Sequence, residues 1–360
     1  MRIIFVCYHP VEPHLYANIA KKLSAEHNVS FLVLEKEGIE KELLDYYGSR
    51  YDEIVIDKKR NKLYRALDLI YRFYSILKKR QPDVIVSATS PFIAIAAKLL
   101  CIPTIGYTDT ETASFNNRVA FPFFNCVLIP TVFYSRIPVS KSIRYSGYKE
   151  LAYLHPNQFK PDGSVLEKLR IGPGEKIVLL RFSALKAMHD IGLKSVADSK
   201  TEKILNYIEE LEKSARVFVS MTEKDLGPAF GKYRLRIHPS EYTNFLAHCT
   251  LYLGEGTTTA SEAGVLGVPW INIQKASRGY LIDQEENYGL GLRTEDIDFA
   301  FKKGLEWLQD DALLDKWRVK RERLLKDKID VTAFFTWFIE NYPESFKAMK
   351  ENPSYEQRFK

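Results

Sequence analysis

No apolar run in this chain is long enough to cross a bilayer. The nearest approach, Phe121 to Phe133, is interrupted by two prolines and Asn125. Cysteine is scarce: Cys7, Cys101, Cys126 and Cys249 sit in or beside apolar runs and form no CxxC pair. They read as buried thiols, which argues against a disulfide framework or a metal site. A strong excess of one charge is missing too. The net charge is +6 with basic residues scattered along the chain, which gives no case for nucleic acid and leaves an anionic small molecule or a membrane surface as the expected partner. The first strand-to-helix loop, Tyr8-His-Pro-Val-Glu-Pro-His14, lacks the Gly-x-Gly-x-x-Gly of a dinucleotide site and so excludes NAD or FAD binding of that kind. Low-complexity segments are absent. Met1 to Cys7 is too short for a signal peptide and reads as a first strand, so the expected location is cytoplasmic, including the inner face of the membrane.

What is present suits two domains. The chain has 360 residues, 46% of them apolar and 13% aromatic, enough for more than one core. Ile3–Cys7, Val29–Leu34, Glu53–Ile56, Val84–Ser87, Thr104–Tyr107 and Cys126–Ile129 read as strands separated by amphipathic segments, the pattern of a doubly wound α/β domain. A polar stretch, His155 to Gly163, is the best linker. A second series follows: Ile177–Phe182, Val217–Ser220, Tyr233–Ile237, Thr250–Leu253 and Pro269–Ile273. Beyond Glu295 the chain reads as charge-laced helix. The expected division is residues 1–155, residues 156–330, and C-terminal helices over 331–360 packing back on the first domain. A weak echo between Ala96–Gly106 and Ala263–Asn272 (helix, short turn, Pro, strand) supports two similar halves.

The segment Gly254-Glu-Gly-Thr-Thr-Thr-Ala-Ser-Glu-Ala-Gly-Val-Leu-Gly-Val-Pro269 carries the most chemistry. It follows an apolar strand and opens a helix. Gly254 and Gly256 allow close backbone approach, while Thr257, Thr258 and Thr259 offer hydroxyls and N–H groups where the helix dipole favours an anion. Glu262, one turn further, is placed to accept hydrogen bonds from a ribose. A plain βαβ turn closed by small residues is the alternative. Arg181, Ser183 and Lys186 follow the first strand of the second series and can supply donors to a diphosphate. Solvated loop charge is the alternative there, and His189-Asp190 is too small a cluster to argue for a metal. Asp109 and Glu111 put two carboxylates after the fifth strand. Lys58 to Arg80 is a basic amphipathic helix. Its stripe Leu63, Ala66, Leu67, Ile70, Phe73, Tyr74 and Leu77 is expected to pack on the sheet, and its flanking basic clusters suit anionic headgroups.

Two resemblances follow from these motifs. Gly147-Tyr-Lys-Glu-Leu-Ala-Tyr-Leu-His-Pro156, the Arg181–Gly192 segment and the Gly254–Pro269 unit resemble a microbial family of domains of unknown function, number 354, usually labelled predicted glycosyltransferases. His238-Pro-Ser-Glu-Tyr-Thr-Asn-Phe245, the Gly/Thr turn and Glu262 are similar to non-hydrolysing UDP-N-acetylglucosamine 2-epimerases and to GT-B glycosyltransferases, which puts His238 at the nucleotide side. The resemblance implies a GT-B-like α/β fold, two Rossmann-like domains facing a cleft. Asp283 and Gln284 occupy the places where such glycosyltransferases grip donor-sugar hydroxyls. A histidine base near the first helix start is also common in inverting members, which nominates His14 ahead of His9. The epimerases carry an acidic motif after the fourth strand, where this chain has Ser87-Ala-Thr-Ser-Pro91, so only Asp109 or Glu111 matches their acidic set.

The expected function is therefore a metal-independent glycosyltransferase with no cofactor, moving sugar from a nucleotide-diphosphate sugar, UDP-linked, to an unnamed acceptor that includes lipid-linked ones, in surface polysaccharide or glycoconjugate synthesis. A UDP-sugar 2-epimerase and a catalytically silent nucleotide-sugar binding module are the alternatives. Oligomeric state is not specified by the sequence.

Overall fold

A computed structural model describes the chain except for residues 35–37, 56–60, 112–113, 183–193, 222–227 and 275–277. It divides into two compact units. The first comprises Met1–Phe159 with Asp327–Lys360, and the second Lys160–Lys326.

The first unit is built on a parallel sheet of β1 (Arg2–Cys7), β2 (Asn28–Leu34), β3 (Tyr51–Ile54), β4 (Val84–Ala88), β5 (Thr104–Tyr107), β6 (Cys126–Pro130) and β7 (Ser142–Tyr145), in spatial order β3-β2-β1-β4-β5-β6-β7. Helices α1 (Val11–Leu23), α2 (Ile39–Tyr46), α3 (Lys62–Arg80), α4 (Pro91–Leu99), α5 (Ser114–Ala120) and α6 (Leu151–Leu154) connect or follow these strands. The inner strands are apolar along most of their length because helices cover both faces, whereas the edge strands β3 and β7 are half polar. Ile3 to Cys7 are all buried, and Val84, Ile85 and Val86 beside them are equally so.

The second unit repeats the plan. Strands β8 (Ile177–Arg181), β9 (Arg216–Val219), β10 (Leu251–Gly254), β11 (Trp270–Ile273) and β12 (Gly291–Thr294) form a parallel sheet in order β12-β11-β10-β8-β9. Its helices are α7 (Ser164–Lys168), α8 (Lys194–Glu212), α9 (Tyr242–Ala247), α10 (Thr257–Leu266), α11 (Gly279–Glu286), α12 (Ile297–Leu308) and α13 (Leu313–Asp327). Two final helices, α14 (Val331–Glu340) and α15 (Glu344–Glu351), belong to the first unit. Phe335 and Phe334 of α14 pack on Tyr145 at 5.2 and 5.9 Å between ring centres. Asp330 accepts from the Ala333 N–H at 3.0 Å and from the Gln158 amide at 2.8 Å, so one carboxylate both caps α14 and fastens it. Gly147 allows the close approach: a Cβ there would stand 2.7 Å from Val331 Cγ2.

Two sequence expectations are corrected, and two edge strands are added. Tyr233–Ile237 forms no strand. Pro228–Tyr233 is a 3₁₀ turn, Arg234 makes a single bridge to Val219, and the backbone then turns into the His238–Glu241 cap before a ladder can extend. The edge strands β7 and β12 went unread because Ser-Ile-Arg-Tyr and Gly-Leu-Arg-Thr are short and half polar. On α3 the inward residues are Leu69, Phe73 and Leu77, with Ile70 and Tyr74 at the margin, whereas Leu63 and Leu67 face solvent.

Candidate functional site

The second unit holds the predicted anion turn at the carboxyl end of β10. Gly254 is forced by packing: a Cβ would stand 2.1 Å from the carbonyl oxygen of Arg181 on the adjacent β8. Gly256 is nearly as tight, its Cβ position being 2.9 Å from Arg181 Cδ and from the Tyr252 hydroxyl. That hydroxyl donates to the Gly256 carbonyl at 3.0 Å and accepts from the Gly256 N–H at 3.1 Å, fixing the turn from beneath. Helix α10 begins at Thr257 with Gly256 at its N-cap and no side-chain cap. Its first N–H groups, those of Thr257, Thr258 and Thr259, are the positive end of the helix.

Arg181 stands at this end. It is exposed, donates to the Ser220 hydroxyl at 3.3 Å, and is the side chain that would collide with a Cβ on Gly256. The Tyr242 hydroxyl, followed by Tyr252 and Glu262, raises its pKa against the opposing effect of burial. Glu262 is buried within α10 and is electrostatically coupled to the same tyrosines. Sequence reasoning nominated Arg181 and Glu262 but not Tyr242 and Tyr252, the buried tyrosines whose electrostatics respond to both. Tyr242 lies within the His238–Phe245 motif already singled out.

Other expectations fare differently. His238 is a helix cap: its Nδ1 pairs with the Ser240 hydroxyl at 2.7 Å, and its N–H donates to Glu241 at 3.2 Å. Gln284 is fully buried, and its amide is engaged in the core. Its Oε1 accepts from Trp270 Nε1 at 3.1 Å, and its Nε2 donates to the Ser261 hydroxyl at 3.0 Å. The expectation that Gln284 presents its amide to a sugar is corrected on that ground, because those bonds tie α11 to α10 and β11. Asp283 is buried and accepts from the Asn287 amide at 2.7 Å. Ser183 and Lys186, with His189 and Asp190, lie outside the described residues.

The first unit gathers acidic residues at the carboxyl edge of its sheet, where ligands collect in open α/β folds. Glu12, after β1, accepts from the His9 N–H at 2.9 Å, from the Tyr8 N–H, and from the Tyr107 hydroxyl at 3.0 Å. Asp109 and Glu111, after β5, are both buried. Lys149 and Glu150, after β7, are buried too; Lys149 pairs with Asp109 and lies 3.1 Å from Glu150. Burial, and after it the charge of Asp109, raises the Glu150 pKa above the usual carboxylate range while Lys149 opposes the rise. Buried carboxylates are costly, so their concentration at one edge argues for function. Glu12, Lys149 and Glu150 were not predicted, although the Gly147–Pro156 motif contains the last two.

His14, in the first turn of α1, is placed otherwise than expected of a neutral-pH base. Its Nδ1 pairs with the Tyr47 hydroxyl at 2.6 Å, and its ring stacks on Tyr153 at 5.6 Å. Burial lowers its pKa to about 4, so the imidazole stays neutral through the physiological range. Beside the acidic loop lies a cavity of about 530 Å³, walled by Phe121, Ile137, Arg118 and Arg136 among others. Two of its lining residues also anchor the loop: Asn117 donates to the Thr110 carbonyl at 3.2 Å and Ser135 to the Glu111 carbonyl at 3.3 Å. Among the described residues, no group of three or more His, Cys, Asp or Glu has the arrangement to hold a metal ion.

A family model described as a protein of unknown function, DUF354, matches residues 8–333. No curated protein matches the chain in sequence. Several solved structures share its fold at low identity. The Staphylococcus aureus MnaA–UDP co-structure aligns with a TM-score of 0.68 at 12% identity, covering 97% of each chain. The UDP-GlcNAc 2-epimerase of Neisseria meningitidis, bound to UDP-GlcNAc, gives 0.59 at 13%, covering 91% of this chain and 100% of that one. The spinosyn rhamnosyltransferase SpnG gives 0.60 at 13%, covering 95% and 100%. The shared architecture is GT-B-like, with two parallel sheets, interleaved helices and C-terminal helices, as the sequence implied.

Proposed function

We propose that this chain, which belongs to the DUF354 family, is a glycosyltransferase that takes its sugar from a UDP-linked donor. The observation that carries the reading is Arg181 at the uncapped N-terminus of α10, with Glu262 buried in the same helix and coupled to the same tyrosines. A diphosphate suits that place because it meets the N–H groups of Thr257 to Thr259, the helix dipole and a guanidinium together. Glu262 then accepts hydrogen bonds from ribose hydroxyls, and Asp283, with its Asn287 partner, is assigned to the sugar. Ser183 and Lys186 are assigned to the diphosphate by their position after β8. On the acceptor side, Glu111 is the proton acceptor this reading favours. Its loop borders the cavity through Asn117 and Ser135, whereas Asp109 is committed to Lys149. The cavity beside Glu111 is of ligand size and supports an acceptor partly apolar in character.

A second reading has a specific observation in its favour. The buried set Glu12, Asp109, Glu111 and Glu150 is richer than the sequence suggested, and a UDP-sugar 2-epimerase needs acids to move a proton and ionise the glycosidic C–O bond. One experiment separates the readings. The protein is incubated with UDP-N-acetylglucosamine in D₂O without acceptor and followed by proton NMR. Loss of the C2 proton signal with appearance of a second sugar nucleotide identifies the epimerase. An unchanged donor that is consumed only when acceptor hydroxyls are supplied identifies the transferase, and binding with no turnover under either condition removes both.

A further inference from the structure

Helix α3 carries an apolar row that the fold leaves outside. Leu63, Leu67 and Tyr71 recur every fourth residue and are 73%, 60% and 68% exposed, with Tyr64 at 47% beside them. The packing side of the helix is a different row: Leu69, Phe73 and Leu77 are buried in the core of the first unit. Each inward residue follows an outward one by six positions, so at about 100° per residue the rows stand roughly 120° apart. The outward row is therefore no spill-over of the core. Arg65, Arg72 and Lys79 form a third row at seven-residue spacing, roughly 140° round the helix from the outward one, with Tyr64 on the solvent side between the two.

The charge on this helix indicates what covers it. Between Lys62 and Arg80 it carries six basic residues and one acid, Asp68. Asp68 is bound by Arg72 at 2.7 Å, and Arg80 is bound by Asp52 at 2.6 Å. Arg65, Lys78 and Lys79 have no ion-pair partner among the described residues. A second copy of the same helix would set like charges against one another. An anionic lipid surface meets every feature instead: leucines enter the acyl boundary, tyrosines sit at headgroup level, and lysine and arginine meet phosphates. No helix among the described residues is long and apolar enough to cross the membrane, so contact would lie in the plane of the surface. We propose that α3 docks this protein on an anionic bilayer, with Leu63, Leu67 and Tyr71 inserted and the Arg65/Arg72/Lys79 row against the headgroups. The proposal is independent of the donor chemistry assigned to the second unit.

The test is flotation of the full-length chain with vesicles of phosphatidylcholine, with and without phosphatidylglycerol. Binding is expected only where phosphatidylglycerol is present. Leu63→Ser/Leu67→Ser and Arg65→Glu/Lys79→Glu are each expected to weaken it by about tenfold or more, with the charge contribution fading as salt is raised. Because Leu63, Leu67 and Lys79 are exposed and Arg65 is half-buried outside the core, thermal stability and UDP binding serve as controls and stay as in the wild type. Absence of flotation, or equal flotation of wild type and both variants, overturns the proposal. A wild-type dimer that Leu67→Ser converts to monomer overturns it in favour of a second copy, and specific capture of an acidic protein without lipid binding overturns it in favour of a protein partner.

Discussion

Lys149 and Asp109 form a buried ion pair across forty residues of sequence, each no more than 6% exposed. The pair joins the loop after β5 to the turn after β7, and Glu150 lies against the same ammonium. One cation thus faces two buried carboxylates. The burden of negative charge is relieved because Glu150, with its raised pKa, holds a proton more tightly than an exposed glutamate does. The Asp109 carboxylate, engaged by Lys149 and by the Thr110 hydroxyl at 3.1 Å, is held in a fixed orientation.

Removing the cation from this arrangement should be far worse than neutralising the second acid. Lys149→Met leaves Asp109 buried without its partner and is expected to cost about 3–5 kcal/mol. Glu150→Gln should be tolerated, and its effect should depend on pH. A carboxyl whose folded pKa is raised stabilises the fold below its unfolded value of 4.5 and loses that contribution as pH rises through the folded value. Glu150→Gln therefore gains on the wild type as pH rises from 4.5 through the folded value, and holds that gain above it. Denaturant midpoints measured at pH 4 and pH 8 check both statements, and equal effects at the two pH values would remove the raised pKa.

His14 gives the opposite sign. A histidine whose folded pKa falls from 6.5 to about 4 binds a proton more weakly when folded than when unfolded. Its contribution is complete above pH 6.5 and is lost as pH falls toward 4, by an amount on the order of 1–3 kcal/mol. The ring protons of His14 should accordingly show no titration between pH 5.5 and 8 by NMR, and any acidic limb of activity near pH 6.5 should survive His14→Gln. A His14 midpoint near 6.5 would restore it as a neutral-pH base.

The contrast between these residues shows what the sequence discloses. The Gly/Thr turn was legible because its residue types mark it in the chain, two glycines and then a run that starts a helix, although what the glycines admit, β8 and Arg181, lies far upstream. The alternation of strands and helices was legible for the same reason, since buried parallel strands are apolar along their length. Lys149 and Glu150 look like an ordinary charged pair in the chain, and only the crossovers of the sheet bring them to Asp109. Gln284 was misread because an amide that satisfies Trp270 in a core and one that grips a sugar have the same letter. The outward leucines of α3 were misread because two apolar rows about 120° apart merge into one wide stripe when only spacing is seen.

Gln284 should behave as a structural residue. Gly264 packs directly on it: a Cβ there would stand 2.0 Å from the Gln284 Oε1. Gln284→Ala leaves Trp270 Nε1 and the Ser261 hydroxyl without this partner and opens a cavity, at a cost of about 2–4 kcal/mol. Gly264→Ala should be similarly harmful. Neither change should discriminate a UDP-sugar from UDP, whereas Asp283→Asn should weaken only the intact donor if Asp283 meets the sugar. Calorimetry with UDP and UDP-N-acetylglucosamine alongside thermal melts separates these outcomes.

The last prediction sets fold against binding at the α10 turn. Arg181→Met removes a charged donor, and Glu262→Ala a charged acceptor, each worth about 1.5–3 kcal/mol in a hydrogen bond. UDP affinity should fall by roughly ten- to a hundredfold in either variant. The two glycines should divide differently. At Gly254 the obstacle is the β8 backbone, 2.1 Å from a new Cβ, so Gly254→Ala has no side-chain adjustment to relieve it and should lower the melting temperature sharply. At Gly256 the obstacles are the Arg181 side chain and the Tyr252 hydroxyl, both 2.9 Å away. Side chains can move, so Gly256→Ala should displace Arg181 and reduce UDP affinity with a smaller loss of stability. Titration calorimetry with UDP, paired with thermal melts of all four variants, provides the measurement. If Gly256→Ala and Arg181→Met bind UDP as the wild type does, the diphosphate does not sit at this helix end, and the donor-site assignment falls with it.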